Sequence, residues 1–371
     1  MPDFSAKNER IKKEYFRYLA EADRKSQTTI DAVRKAINRF ESHTGFKDLA
    51  TFNRHQAVAF KKQLASTPAQ RTGKPLSKST MHATTNALKA FFKWLYGQAG
   101  YRSRINPTDI DYLNLSEKDV RAAKQPAVKR FPTLEQIRHV VFSMPVDKVA
   151  ERRDRALIAF TIVTGMRDDA IASIRLKHVE TDLKRVIQNP LEMRTKFSKQ
   201  IVTYFFPVGA DLHAIVLDWV RELREEHLFG NDAPVFPKTR LAHDEERCFT
   251  ADGIVPEFWA NAEPIRVAFR RAFSMAGLDY YNPHSFRDTL VALGKKKCRT
   301  PEEFEAWSKN LGHEEMITTF RSYGHIDPAR QGELINAVGN RRDDEDRLGR
   351  MFSLLERMAD REEKAGEAST S

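Results

Sequence analysis

Asn282-Pro283-His284-Ser285-Phe286-Arg287-Asp288 reads as the opening of a helix whose first turn is built to meet an anion. Asn282 is a capping residue, and Pro283 suits a first helical position, where its missing N–H costs nothing. His284 and Arg287, three apart, share one face of that turn. A helix N-terminus favours negative charge, and a guanidinium there adds a bidentate donor. Three other segments of the same half carry comparable groups. Thr164-Gly165-Met166-Arg167 stops an apolar helix running from Arg152 to Val163 and presents Arg167 at its end. Thr195-Lys196-Phe197-Ser198-Lys199 sets a lysine pair on a β-turn. Leu311-Gly312-His313 is followed ten residues later by Tyr323, within Thr318-Thr319-Phe320-Arg321-Ser322-Tyr323-Gly324-His325. Singly, each is weak: a Gly-x-Arg commonly ends a helix and no more, a lone His is commonly a satisfied core or surface residue, and a Tyr before Gly is commonly a packed aromatic.

The chain of 371 residues is too long for one ordinary core and predicts two domains of unequal size. Its 41% hydrophobic residues suffice for real cores, and 30% charge keeps the surface hydrated. The polar, charged start Met1 to Arg10 resembles no secretory signal, and no apolar run approaches the ~18 residues of a membrane span. Two cysteines, Cys248 and Cys298, support neither a disulfide framework nor a cysteine-based zinc site, so a reduced, cytoplasmic protein is expected.

Charge is distributed unevenly. Residues 1–130 hold 26 Lys and Arg against 12 Asp and Glu, whereas the other 241 residues hold 36 against 39. Residues 49–108 contain no acid at all but ten bases: Arg54, Lys61, Lys62, Arg71, Lys74, Lys78, Lys89, Lys93, Arg102 and Arg104. A solvated surface normally mixes both signs, so this stretch asks for a polyanion, with a merely solubilising basic surface as the bland alternative. Nucleic acid suits it better than an anionic membrane, because no helix pairs a basic face with an aromatic anchor face.

Residues 1–116 read as an all-α domain, with helical periodicity at Tyr15 to Ala22, Ile30 to Phe40 and, most clearly, Ser77 to Tyr96. There Met81, Leu88, Phe91, Phe92 and Leu95 form a core stripe stopped by Gly97, while Lys78, Lys89 and Lys93 lie off it. Thr67 to Lys78 reads as an exposed loop. Residues 117–131 read as a basic linker. Residues 132–335 read as a second, α+β domain, opened by Thr133 and Gln136 at capping-box spacing. Val186-Ile187 and Ile201 to Phe206 predict a small antiparallel sheet, with helices dominating after Asp211. Residues 336–371 read as a charged tail with one amphipathic helix, carrying Leu348, Met351, Phe352 and Leu355.

Together, in this order and spacing, the four motif segments resemble the tyrosine recombinase (phage integrase) family over about 130–330. The family has an arginine after a Thr-Gly turn, a hairpin lysine, His-x-x-Arg, Leu-Gly-His and then the tyrosine. The basic helical part resembles its core DNA-binding domain. The resemblance implies that Tyr323 attacks a phosphodiester and is left as a 3′-phosphotyrosyl ester. A tyrosine hydroxyl, with a pKa near ~10, is a weak nucleophile at neutral pH. The transition state gains charge on the non-bridging oxygens, which two guanidiniums, Arg167 and Arg287, can clamp. The resemblance gives the leaving 5′ oxygen its proton from Lys196, with Lys199 as the alternative. It makes His284 the general base or a phosphate donor, and His313 a phosphate donor. Because the ester conserves the energy of the broken bond, no cofactor or metal is expected; the sequence has no Gly-x-x-x-x-Gly-Lys loop and no His-Glu-x-x-His motif.

Three features depart from the family pattern. The His313–Tyr323 spacing is one residue longer than the usual nine, Ala170 stands where an acid is common, and the distance from Lys196 to Pro207 is long. The expected partner is double-stranded DNA, gripped between the two domains and bound by a homotetramer on paired sites, with no membrane or small-molecule substrate. The rivals are a type IB topoisomerase-like relaxing enzyme and a catalytically silent DNA-binding regulator. Six chemically competent side chains argue against the second.

Overall fold

Short hydroxyl and amide side chains start most helices of the N-terminal part. Ser26 accepts from the Thr29 N–H, Asn53 and Gln56 form a reciprocal capping box, and Ser77 accepts from the Thr80 N–H. The computed structural model describes residues 4–68, 73–124, 130–194, 200–243 and 249–313, with backbone alone at 241–243 and 249–252. The chain divides into two units, Met1–Ala127 and Val128–Ser371.

The described part of the first unit is helical: α1 (Ala6–Glu21), α2 (Gln27–Thr44), α3 (Arg54–Ser66), α4 (Lys78–Tyr96), α5 (Pro107–Ile110) and α6 (Glu117–Lys124). The α4 stripe is fully committed to the core, where Phe92 stacks on Phe52 with ring centres 3.8 Å apart. Phe40 meets Phe60 and Phe92 edge-on at 5.2 and 5.3 Å. Such aromatic geometry adds to plain burial. The reading of 117–131 as linker needs correction at its start. Glu117–Lys124 is helical and packs on α4, where the Ser79 hydroxyl donates to the Ala123 carbonyl at 2.7 Å. No residue of α6 is buried, so no apolar stripe announces it.

The second unit opens with α7 (Leu134–Phe142), started by the expected Thr133–Gln136 capping box. Next comes α8 (Val149–Thr164), whose residues from Ala156 onward are all buried, and the single turn α9 (Asp168–Ile171). Strands β1 (Val179–Glu180), β2 (Arg185–Gln188) and β3 (Ile201–Tyr204) form an antiparallel sheet in that order, Val186 opposite Thr203 and Arg185 opposite Tyr204. Then follow α10 (Ala210–Glu225), packed on α8, β4 (Lys238–His243), β5 (Phe249–Val255), α11 (Glu263–Met275), α12 (Ser285–Lys297) and α13 (Pro301–Asn310).

Helices were expected to take over after Asp211, but β4 and β5 form a second antiparallel hairpin. Lys238-Thr239-Arg240-Leu241-Ala242-His243 has no run of β-branched residues, so backbone pairing, not apolar alternation, makes it a strand. Helix α12 also starts later than read. Asn282 caps through its side chain, taking the Ser285 N–H at 3.1 Å, but Pro283 and His284 form a turn ahead of the helix. No described helix is long and apolar enough to cross a membrane.

Candidate active site

Helix α8 stops because Gly165 adopts φ +60°, a left-handed conformation that L side chains enter only with strain. A Cβ there would also lie 2.8 Å from Leu290 and 2.9 Å from Leu311. The turn is stapled by Thr164, whose hydroxyl donates to the Phe160 carbonyl at 2.7 Å and accepts from the Met166 N–H at 3.3 Å. This delivers Arg167 to the start of α9, half-buried, and desolvation disfavours its charge. Among the described residues its guanidinium has no hydrogen-bond or ion-pair partner. A half-enclosed cation in that condition is a receptor for an anion.

Arg287, on the first turn of α12, is only 5% exposed. One of its terminal nitrogens donates to the Gly165 carbonyl at 2.5 Å, the other to the Leu311 carbonyl at 2.6 Å. The latter nitrogen also stands 2.9 Å from Nε2 of His313. Three segments distant in sequence therefore meet at one guanidinium. His313 is pushed down to about 4, first by burial, then by the charges of Arg287 and Arg167 and by electrostatic coupling to His284. That same influence places His284, exposed just ahead of α12, within electrostatic reach of the cluster. Of the six catalytic candidates, Arg167, His284, Arg287 and His313 thus share one locus. Lys196, its alternative Lys199, and Tyr323 lie outside the described residues.

Other residues support this locus without any sequence signal. Arg266 on α11 holds Asp168 at 3.1 and 2.8 Å, anchoring the turn after Arg167 across 98 residues. Ala170, where the family commonly has an acid, is 2% exposed and part of the core. The segment ahead of 195–199 is also pinned. Glu192 takes Lys177 at 2.7 Å and His178 at 2.8 Å, and Lys177 and His178 hold its carboxyl down to about 2. The Arg194 guanidinium donates to the Ala260 carbonyl at 3.0 Å. Only the folded chain brings such partners together.

In the first unit, the acid-free run 49–108 is not free of acids in space, because residues 109–119 fold back over it. Lys78 pairs with Asp119 at 2.7 Å, Lys89 with Asp111 at 3.9 Å and with the Asn114 side chain, and Lys61 donates to the Asn114 carbonyl at 2.7 Å. Lys62, Lys74 and Lys93 are exposed and without an ion-pair partner among the described residues. Lys62 lines a cleft of about 420 Å³ with Arg54, His55 and Tyr112. Arg71 lies outside the described residues.

Residues 13–99 match the family described as phage integrase, N-terminal SAM-like domain. Over 187 residues the chain is 27% identical to a tyrosine recombinase XerC of Corynebacterium glutamicum, covering 50% of each protein. The chain thus spans about half the length of that curated relative. Among solved structures it is similar to a lambda integrase fragment, a dimer bound to a COC′ core site. The TM-score is 0.56 at 13% identity, over 85% of this chain and 94% of that one. It is also similar to a Tn1549 transposon integrase in complex with transposon right-end DNA. Here the TM-score is 0.55 at 13% identity, over 89% of this chain and 99% of that one. At such identities the structures speak for the fold alone, and the sequence matches show that residues 13–99 carry a phage integrase N-terminal SAM-like domain and that half of the chain is similar to a tyrosine recombinase.

Proposed function

We propose that this protein is a site-specific recombinase that breaks and rejoins DNA strands to integrate or excise a mobile element. The observation that carries the reading is the guanidinium pair. Arg287 is fixed by two carbonyls beside His313, and Arg167 is half-buried with no acidic partner among the described residues. Two preorganised guanidiniums offset the charge that develops on a phosphodiester under attack. In this reading the Tyr323 oxygen bonds to phosphorus, its proton passing to His284 or to solvent. The P–O5′ bond breaks, and the leaving oxygen takes a proton from Lys196 or Lys199. The free 5′ hydroxyl of a second strand then reverses the step on the 3′-phosphotyrosyl ester and regenerates Tyr323. No net oxidation or hydrolysis occurs.

Arg54, Lys61, Lys62, Arg71, Lys74, Lys78, Lys89 and Lys93 supply phosphate contacts in the first unit, which grips duplex DNA by charge. The working form is a homotetramer on paired sites, because exchange needs four cut strands, and it acts in the cytoplasm. Lambda integrase, bound to its core site as a dimer, and the Tn1549 enzyme on transposon DNA support this assignment by their shared fold.

The test is denaturing electrophoresis of the protein on a nicked, labelled site, with the attached residue identified by peptide mapping. Wild type should form a covalent adduct at Tyr323, and Tyr323→Phe should bind DNA yet form none. An adduct that persists in Tyr323→Phe would overturn the assignment.

A further inference from the structure

The last residue of α13, Asn310, makes a contact that a helix-ending asparagine ordinarily does not. Its side chain leaves its own helix alone and reaches a strand 106 residues away. Oδ1 accepts from the Tyr204 N–H at 2.7 Å, and Nδ2 donates to the Tyr204 carbonyl at 2.9 Å. Among the described strands β3 is the edge of its sheet, and the outward N–H and C=O of Tyr204 face away from β2. An edge strand leaves such groups unpaired, and a carboxamide presents an N–H donor and a C=O acceptor side by side, as one residue of a neighbouring strand does. Asn310 therefore acts as a one-residue neighbouring strand.

Two further contacts tighten the joint. The Thr203 hydroxyl donates to the Asn310 carbonyl at 3.2 Å, and a Cβ on Gly312, which has φ +69°, would lie 2.9 Å from Ile201. Immediately after Asn310 the chain delivers two groups to Arg287: the Leu311 carbonyl at 2.6 Å and the His313 ring at 2.9 Å. The Trp307 indole, donating to the Leu290 carbonyl at 3.0 Å, fixes α13 to α12 from the other side.

We infer that Asn310 is a positioning residue, whose amide locks β3 to the Leu311–His313 turn and so sets where His313 and the Leu311 carbonyl stand against Arg287. The inference rests on the reading of Arg287 and His313 as part of a phosphate site. Among the described residues the Asn310 side chain bonds only the Tyr204 backbone and no candidate reacting group. Misplacing a catalytic group by about 1 Å costs on the order of a hundredfold in rate, so losing this joint acts on chemistry more than on DNA binding.

The experiment uses the full chain and measures single-turnover adduct formation on a nicked site at saturating DNA, together with DNA affinity. Asn310→Ala should slow adduct formation roughly ten- to hundredfold with affinity changed by less than about threefold. Asn310→Asp supplies the diagnostic readout. Its ionised carboxylate can accept the Tyr204 N–H but opposes the Tyr204 carbonyl, whereas the protonated acid restores a donor. Its rate relative to wild type should climb as pH falls from about 8 toward about 5, while the Asn310→Ala ratio stays flat. Arg185, opposite Tyr204, and Lys309, next in the chain, are common to both proteins, so the ratio isolates the new carboxyl. Adduct formation by Asn310→Ala at the wild-type rate, or a flat Asn310→Asp ratio, overturns the inference. Should wild type form no adduct, the functional reading fails, and the His313 ring nitrogen NMR signals, which need no cleavage, still decide on Asn310. A shift in Asn310→Ala supports the joint, and unchanged signals overturn it.

Discussion

Nη2 of Arg287 and Nε2 of His313 are 2.9 Å apart. A guanidinium can only donate, so Nε2 is the acceptor and the neutral ring carries its proton on Nδ1. Burial and three nearby charged or chargeable groups (Arg287, Arg167, His284) hold the imidazole at about 4, so it is uncharged at neutral pH. His313 is then poised as a neutral hydrogen-bonding group, and the positive charge of the site belongs to its arginines.

That protonation state has a consequence for stability. The folded pKa is depressed below the unfolded value of about 6.5, so the folded protein binds fewer protons in between. Its contribution is full above about pH 6.5 and is lost as pH falls toward about 4. Thermal unfolding of His313→Gln should therefore fall less steeply than wild type over that window. Equal slopes, or a His313 ring that titrates near 6.5 by NMR, would contradict the assignment.

Replacing Arg287 separates chemistry from binding. Arg287→Ala should hold DNA within a few-fold of wild type but cleave it more slowly by a factor on the order of a hundred or more. It also strands the carbonyls of Gly165 and Leu311, a cost of about 1–3 kcal/mol visible as a lower Tm. Arg287→Lys should not restore the rate, because one ammonium cannot reach both carbonyls and a phosphate in a planar fork. Full cleavage by the lysine variant would show that the fork is dispensable.

Gly165 tests the turn that carries Arg167. Gly165→Ala combines left-handed strain with overpacking against Leu290 and Leu311 and should destabilise by about 2–4 kcal/mol. Cleavage should fall further than stability alone explains, because both Arg167 and the carbonyl that orients Arg287 move with the turn. Calorimetry with adduct assays at a temperature where both proteins are folded provides the check.

The basic unit sorts its lysines by partner. Lys74, exposed and without an ion-pair partner among the described residues, should on change to Ala reduce the slope of log affinity against log salt by about 1. Lys78→Ala should change it less, since Lys78 must first leave Asp119. Asp119→Asn should tighten DNA binding by freeing that lysine. Fluorescence anisotropy across a salt series measures all three, and an Asp119→Asn protein that binds more weakly refutes this ordering.

Deletion of 341–371 probes the proposed assembly. It should leave binding to a single site unchanged while abolishing synapsis of paired sites, if Leu348, Met351, Phe352 and Leu355 dock on a neighbouring protomer. Native gel shifts on one and two sites distinguish the steps. Recombination that survives the deletion removes the tail from the mechanism.

Local signals in the chain were sufficient for much of this. The capping box at Thr133 and Gln136, the α4 stripe ending before Gly97, the stop at Gly165 and strands β2 and β3 are all set by residues within a few positions of one another. The order of Arg167, His284, Arg287 and His313 was equally legible, since motifs are local by nature. Helix α6 and the β4–β5 hairpin were not, because neither carries an apolar period to read.

What the sequence by itself determined, then, is which residues are competent and which elements hold them. Only the tertiary structure decided who their partners are. It set Asp119 against Lys78, Arg266 against Asp168, Asn310 against Tyr204, and the carbonyls of Gly165 and Leu311 around one buried guanidinium. Those pairs span from 24 to 122 residues of chain. A hydrogen bond depends on ångström distances that packing alone fixes, and no periodicity in the sequence encodes them.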